Sequence, residues 1–465
     1  MAMTNRNNIK FDCIIFATLD DLVPQDHNVR LFEDTIDWKF IYPLVKPLYS
    51  EVGRPSIDPV VLFKMLFINY SFGINSMRKT CEEIKVNVAY RWFLGIDIFE
   101  SVPNFSTWSQ NYIRRYKDSK IFEEIFYKIV KEGIDNGFID PTAVFGDGTH
   151  RKANANVRKA TDKEVEIVAK EYEKELINEI NEDRTVHGKA KIEEMTRTEY
   201  SYDEATGEIK EEKKTKHIKE STTDPECGLF HKGEKQKCFA YSHLTYADKH
   251  GYVLYTHTEP GNIHDSTAFS KTYAELIDRY PQIEKVCLDS GFNTAAICHM
   301  IIQSERIPYL PYKRPMTKKG YFRKYEYVYD EALDLYICPN IKDLTYKTTN
   351  REGYKVYKSN PKDCINCPYL SQCTKSKNYT KVIMRHVWEE DKEKAEEVRY
   401  GRNFKDVYNL RKETIERVFA DCKENHGMRF TRLNGKQKNQ HETLIIFSCH
   451  NLKKLALSKK RIGWI

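Results

Sequence analysis

At 465 residues and 54.9 kDa the chain is longer than one ordinary domain, so two or three are expected. Aromatic residues are plentiful, with 30 Tyr and 23 Phe, which supports real cores although 31% of residues are charged. No apolar run approaches the roughly 20 residues that span a bilayer, and the N-terminal IIFA is too short for a signal-peptide core. A cytoplasmic protein without a membrane partner is therefore expected, and its twelve cysteines read as thiols or metal ligands rather than disulfides.

The net charge of +7 is unevenly spread. Residues 401–465 carry fifteen Lys/Arg against six Asp/Glu, whereas 161–220 carry twelve against eighteen. A basic C-terminal part suits a polyanionic partner; a solvated basic surface is the bland alternative.

A helical N-terminal domain is expected over 1–135. Ser56-Ile57-Asp58-Pro59 is a helix start with an early Pro, followed at helical spacing by Leu62, Met65, Leu66, Asn69 and Tyr70. Phe72-Gly73-Ile74-Asn75 breaks the pattern, Ser76 can cap a second helix through Ile84, and Asn87 precedes a third with Val88, Tyr90, Trp92 and Leu94. Another starts near Ser106. Short helices around a tight turn resemble a helix-turn-helix unit for DNA, with a plain bundle as the alternative. Arg78, Lys79, Arg91 and the Arg114/Arg115 pair are its basic residues.

Residues 136–312 switch to an α/β pattern. A short strand over 142–146 ends at Asp147, and 161–220 read as a charged insertion with a helix over 165–180. CFAYSHLTYAD and GYVLYTHTE make a hairpin about Asp248-Lys249-His250-Gly251. A helix over about 267–280, a strand over 284–288 ending at Asp289, a helix over 294–304 and a strand over 307–310 follow. This order specifies a mixed α/β sheet flanked by helices. Residues 313–400 are a cysteine-bearing insertion of Tyr/Lys-rich short strands, and 401–465 carry helices over about 403–425 and 440–455.

Three acids stand in settings that phosphodiester chemistry with two metal ions requires, namely carboxylates gathered from separate elements. Asp147 and Asp289 each follow an apolar run and precede small residues, Gly148 and Ser290-Gly291, that leave room for metal and phosphate. Either alone is equally a turn former or a helix cap. Glu416 lies beside the apolar stripe Ile415, Val418, Phe419 and Cys422, about 100° round from Ile415. Lys423 falls within about 20° of it and roughly 10 Å further along, and Arg411 and Arg417 flank it. A solvated charge lattice is the alternative, and Glu413 is a rival acid.

Other residues gather near these acids in sequence. His150 supports its loop or touches metal or substrate, and Lys152, Arg158 and Lys159 suit phosphate contact or a solvated turn. Asn262, His264 and Asp265 in PGNIHDS border the site or form an ordinary loop and cap. Trp388 packs in a core or stacks on a flipped base. Cys338, Cys364, Cys367 and Cys373 have the knuckle spacing of a structural zinc site, with His386 as a rival ligand and unligated thiols as the alternative. The remaining eight cysteines read mostly as buried thiols.

Together Asp147, Asp289 and Glu416 resemble the acids of the DDE transposases of bacterial insertion sequences. Tyr408-x2-Arg411…Glu416-x6-Lys423 is similar to the Tyr–Arg–Glu–Lys signature of one large branch, with one extra residue between Arg and Glu. GRPSIDPVVLFKMLFINYSFG and NVAYRWFLG resemble the helical N-terminal region of such transposases. The resemblance implies an RNase H-like core in which the first Asp ends the first strand, the second ends the fourth and the Glu sits on a late helix. It also implies two Mg²⁺ (or Mn²⁺) ions on Asp147, Asp289 and Glu416, with Asp147 bridging them. The implied activity is cleavage at terminal inverted repeats followed by strand transfer. Double-stranded DNA, as element ends and target, is the implied partner, with Arg411, Arg417, Lys423 and Arg429 joining the basic residues above. A homodimeric synaptic complex, associated with the nucleoid when bound, is expected. A resolvase-like nuclease of the same fold and a domesticated DNA-binding regulator are the alternatives.

Overall fold

The computed structural model describes residues 16–464, apart from 54, 75, 167–171, 194–197, 204–207, 214, 233–235 and 314–316. Ile14 and Ile15 of the IIFA run, Asn75 of the helix-breaking turn and part of the helix expected over 165–180 lie outside the described residues. Two compact units are present: Met1–Ile139 with Val418–Arg429 and Gln440–Ile465, and Asp140–Arg417 with Phe430–Asn439. Residues 401–465, one segment in the sequence reading, are shared between them.

The first unit is helical among its described residues. Asp58 caps α1 (Pro59–Ser71) by accepting from the Val60 amide at 2.7 Å, with Pro59 at the first position. Ser76 caps α2 (Met77–Val86) and Asn87 caps α3 (Val88–Leu94), as the polar-before-apolar pattern specified. α3 stops at Gly95, whose φ of 66° is the left-handed conformation glycine adopts without strain. α4 (Phe105–Asn111) and α5 (Ile121–Asp135) follow, and Phe63, Phe67, Phe93, Tyr116 and Phe122 are fully buried. Arg91 is buried too: it donates to the carbonyls of Lys85, Asp97 and Glu100 at 3.3, 2.5 and 3.1 Å. That guanidinium closes the loop after α3 and is spent on backbone.

The second unit is built on strands β1 (Ala143–Lys152), β2 (Gly228–Lys232), β3 (Gln236–Asp248), β4 (Val253–Pro260), β5 (Lys285–Cys287) and β6 (Ile307–Tyr309). Their order is β6-β5-β1-β3-β2, with β4 also pairing β3. β3 runs antiparallel to β1, and β5 and β6 run parallel to it through the crossover helices α6 (Asp265–Arg279) and α7 (Ala295–Gln303). Val144, Phe145, Val286, Leu288, Phe269, Leu276 and Ile301 pack between sheet and helices with almost no exposure. The strand expected over 142–146 continues to Lys152, because β3 pairs along it from Val144↔Asp248 to Lys152↔Ala240. Asp147 is therefore inside a strand rather than beyond its end.

The charged insertion is partly β. Ala160–Glu166 pairs antiparallel with Thr215–Ser221, so the helix expected from 165 starts only at Glu173 and runs to Val186. Its Leu176 and Ile180 pack with Ala296 and Trp388. The cysteine-bearing segment forms a separate five-stranded meander from Val328–Asp330 to Val382–His386 around Tyr327, Tyr336, Leu344 and Tyr357.

The single helix expected over 403–425 is two, α8 (Phe404–Glu413) and α9 (Ile415–Asn425). Thr414 separates them at φ −102°, ψ −99°, with its hydroxyl donating to the Leu410 carbonyl at 2.7 Å. A threonine bonded back to the preceding turn bends helices in this way. α10 spans Lys436–Arg461, longer than the 440–455 expected.

Candidate active site

The two aspartates are brought together by register. β1 and β5 are parallel neighbours with Phe145 opposite Cys287. Asp147 and Asp289 each lie two residues further on, so alternation places both on the side occupied by that pair, on strands roughly 4.8 Å apart. Asp289 lies two residues past the end of β5 and caps the turn that follows, accepting the Gly291 amide at 2.7 Å. Asp147 accepts its neighbouring Gly148 amide at 2.9 Å.

Helix α8 delivers a cation to the same place. Tyr309 of β6 stacks on Phe404 (centroids 5.8 Å), and Phe404 stacks on Tyr408 at 5.6 Å. This ladder fixes α8 so that Arg411 donates to Asp147 Oδ2 at 2.7 Å, with side-chain exposures of only 7% and 23%. Arg411 thus sits against the first aspartate rather than on open surface.

A third carboxylate closes in on the other side. His264 caps α6, so Asp265 is not the cap but the first helical residue, and its Oδ1 accepts from the Ser242 hydroxyl at 2.9 Å. A β-carbon on Gly148 would stand 2.2 Å from Asp265 Oδ2. The space after Asp147 that the sequence suggested for metal and phosphate is therefore taken by Asp265. Gly148 is glycine because this carboxylate presses on the strand.

Burial is the main force on Asp147, pushing its carboxyl up to about 6. Arg411 and the Gly148 amide oppose that rise, while the nearby charges of Asp289 and Asp265 add to it. Asp147, Asp289 and Asp265 lie near enough to influence one another electrostatically, although among the described residues no three carboxylates here offer ligand atoms within 4.8 Å of one another. Their hard oxygens are the donor type that suits Mg²⁺ or Mn²⁺.

Two family models match the sequence: residues 17–114 match a transposase domain (DUF772), and 337–456 match a transposase DDE domain. The chain thus carries two transposase domains, consistent with a DDE transposase of an insertion sequence. No curated protein matches it. The second match includes Arg411 and Glu416; Asp147 and Asp289 lie outside both matched spans and rest on the register just described. The mixed sheet with its flanking helices is the RNase H-like core that a DDE domain implies. No described helix is long and apolar enough to cross a membrane.

The remaining expected residues of the transposase are placed as follows. Ile415, Val418, Phe419 and Cys422 are buried, which leaves Glu416 exposed in the first turn of α9, while Glu413 is exposed at the end of α8. Lys152, Arg158 and Lys159 are exposed along an open groove of about 600 Å³ that Asn154, Asn156 and Lys237 also line. Arg417 is exposed, Arg429 is exposed and paired with Glu424, and the Lys423 ammonium lies 6.0 Å from the Phe419 ring. His150 lies within β1 rather than in a loop and stacks on Phe230 of β2 at 3.6 Å between centroids. Trp388 is 4% exposed and stacks on His299 at 4.3 Å, so it packs a core and presents no face to a base.

Cys338 and Cys373 pack on the tyrosine cluster of the meander, and the Tyr327 hydroxyl lies 3.2 Å from Cys373 Sγ. Burial raises the Cys373 thiol, with Cys364 and Cys338 close enough to add to the rise. Among the described residues no three of these four sulfurs lie within 4.8 Å of one another. His386 accepts the Trp388 amide at 3.1 Å and acts as a turn cap.

Proposed function

We propose that the transposase binds the terminal inverted repeats of its element, cuts DNA at the face shared by Asp147 and Asp289, and joins the ends to target DNA. The observation that supports this reading is the parallel register of β1 and β5, whose last pair, Phe145 opposite Cys287, lies two residues before each aspartate. Glu416 completes the acidic set from α9. Asp147, Asp289 and Glu416 would hold two divalent ions, Mg²⁺ or Mn²⁺. When bound, such ions supply Lewis-acid activation of the attacking and leaving oxygens of an in-line displacement.

The chain's own groups do the rest. Arg411 keeps Asp147 ionised against its burial and orients it. Lys152, Arg158 and Lys159 along their groove, with Arg417, Lys423 and Arg429, hold phosphates and fix the strand's position. The α1–α3 region reads the element ends, and a homodimer pairs the two ends.

The test is Asp147→Asn, which should bind the terminal repeats normally and lose Mg²⁺-dependent nicking. Cleavage retained in that variant overturns the assignment. Cleavage without end joining in the unmodified protein would favour a resolvase-like nuclease instead.

A further inference from the structure

A second cluster of ligating side chains lies wholly within the helical unit. Asp421 on α9, His426 just after it and His450 on α10 bring three ligand atoms within 4.8 Å of one another. His426 is fully buried, and its Nδ1 lies 2.9 Å from the Tyr70 carbonyl oxygen. A carbonyl only accepts, so Nδ1 carries the proton and donates. Nε2 of the neutral ring is then a lone pair.

That Nε2 is buried without a hydrogen-bond partner and faces Asp421 Oδ2 at 3.4 Å. A buried lone pair facing a carboxylate oxygen costs free energy unless a proton or a metal cation lies between them. Their separation matches an ion-bridged pair: ligands about 2.0–2.1 Å from a tetrahedral ion stand about 3.3 Å apart. A charge-assisted hydrogen bond from an imidazolium would be about 2.7–2.9 Å. His450 Nδ1 lies 2.8 Å from the same Oδ2, a hydrogen-bond distance, so without an ion this pair shares a proton that a bound ion displaces; Asp421 Oδ1 accepts from Asn425 Nδ2 at 2.7 Å. The Tyr70 carbonyl behind His426 and the Asn425 amide behind Asp421 are the outer contacts that orient metal ligands.

We propose that His426 Nε2, His450 Nδ1 and Asp421 Oδ2 form a structural site for a divalent transition ion of the zinc class. Two imidazoles and one carboxylate suit Zn²⁺ and related ions, whereas Mg²⁺ takes oxygen ligands. The Asp421 side chain is 31% exposed, which gives the ion an entry path and leaves its fourth position open to water. The ion ties α9 to α10, and no residue of this set belongs to the acidic face around Asp147.

The probe is Co²⁺ added to the metal-stripped full-length protein, with millimolar Mg²⁺ present to fill oxygen-only sites. The expected result is one equivalent with visible absorption of nitrogen and oxygen ligation, displaced by Zn²⁺ and lost in both His450→Gln and Asp421→Asn. Cobalt bound through the cysteines shows thiolate charge-transfer absorption and persists in both variants, so the two sites are told apart. Co²⁺ uptake and spectra unchanged in both variants overturn the proposal. As a second measurement, Zn²⁺ should raise the melting temperature of the unmodified protein by more than it raises that of Asp421→Asn. Equal shifts, or a melting temperature that depends on these residues but not on Zn²⁺, mean that a proton holds the cluster and also overturn it. Asp421→Asn carries the test if His450→Gln does not fold.

Discussion

Asp147 should make metal-dependent cleavage unusually sensitive to acid. Its carboxyl is pushed up to about 6, chiefly by burial. Divalent ions bind the ionised form, so apparent metal affinity scales with the ionised fraction. At pH 7.5 such a group is almost wholly ionised, and at pH 5 only about a tenth of it is, so the Mg²⁺ concentration for half-maximal nicking should rise about tenfold. A carboxyl near the ordinary value would change it by only about a tenth over the same range. The sign for stability is the reverse of the usual salt-bridged acid. Because the folded value lies above the unfolded one, the ion-free protein loses stability as pH rises from about 4 to about 6, by up to about 3 kcal/mol. The assay is a Mg²⁺ titration of plasmid nicking at each pH from 5 to 8, reading half-saturation rather than rate because the attacking group also titrates. Arg411→Gln removes the largest influence favouring the carboxylate and should move the midpoint upward. Half-saturation that stays flat between pH 7.5 and 5 would refute the assignment of Asp147 as a buried metal ligand.

Other substitutions probe the surroundings. Gly148→Ala drives a methyl into the Asp265 carboxylate and should cost about 1–3 kcal/mol of stability together with most of the nicking activity, read by thermal melts and plasmid assay. Replacing Lys152, Arg158 and Lys159 together by Ala should lower the slope of log affinity against log salt by about 0.9 for each lost phosphate contact; an unchanged slope removes DNA from that groove. Trp388→Ala should destabilise the protein by about 3–5 kcal/mol while the folded fraction keeps its DNA strand selectivity. A stable variant with altered cleavage would instead restore a base-stacking role.

Much of the architecture was legible because it rests on local chemistry. Asp58, Ser76 and Asn87 stand at the helix starts read from the sequence, where their side-chain oxygens satisfy exposed amides, and each caps the helix that follows. The full length of β1 was not legible, because GDGTHRK carries turn-like residues and becomes strand only by pairing along β3. Asp265 was placed near the site but read equally well as a helix cap. Its carboxylate reaches Gly148 through the β3–β4 hairpin, a long-range placement with no local signature. The polar cluster Asp421, His426 and His450 was missed because Asp421 lies on one helix, His426 just past its end and His450 on another.

The spacing anomaly between Arg411 and Glu416 shows how a motif depends on the element beneath it. In one continuous helix an extra residue would swing Glu416 about 100° relative to Arg411, and the two side chains would no longer serve one site. The break at Thr414 removes that constraint, since α8 and α9 have separate axes and the angle between the residues is set by the dihedrals of Thr414. Arg411 then reaches Asp147 from α8 through the stacking of Tyr309, Phe404 and Tyr408, independently of where Glu416 points. Deleting Thr414 separates these contributions. Fusing α8 to α9 would restore the usual spacing on a single axis while losing the buried threonine, and nicking should fall sharply with little change in helix content by circular dichroism. Activity that survives the deletion would mean that the spacing, rather than the break, governs the position of Glu416.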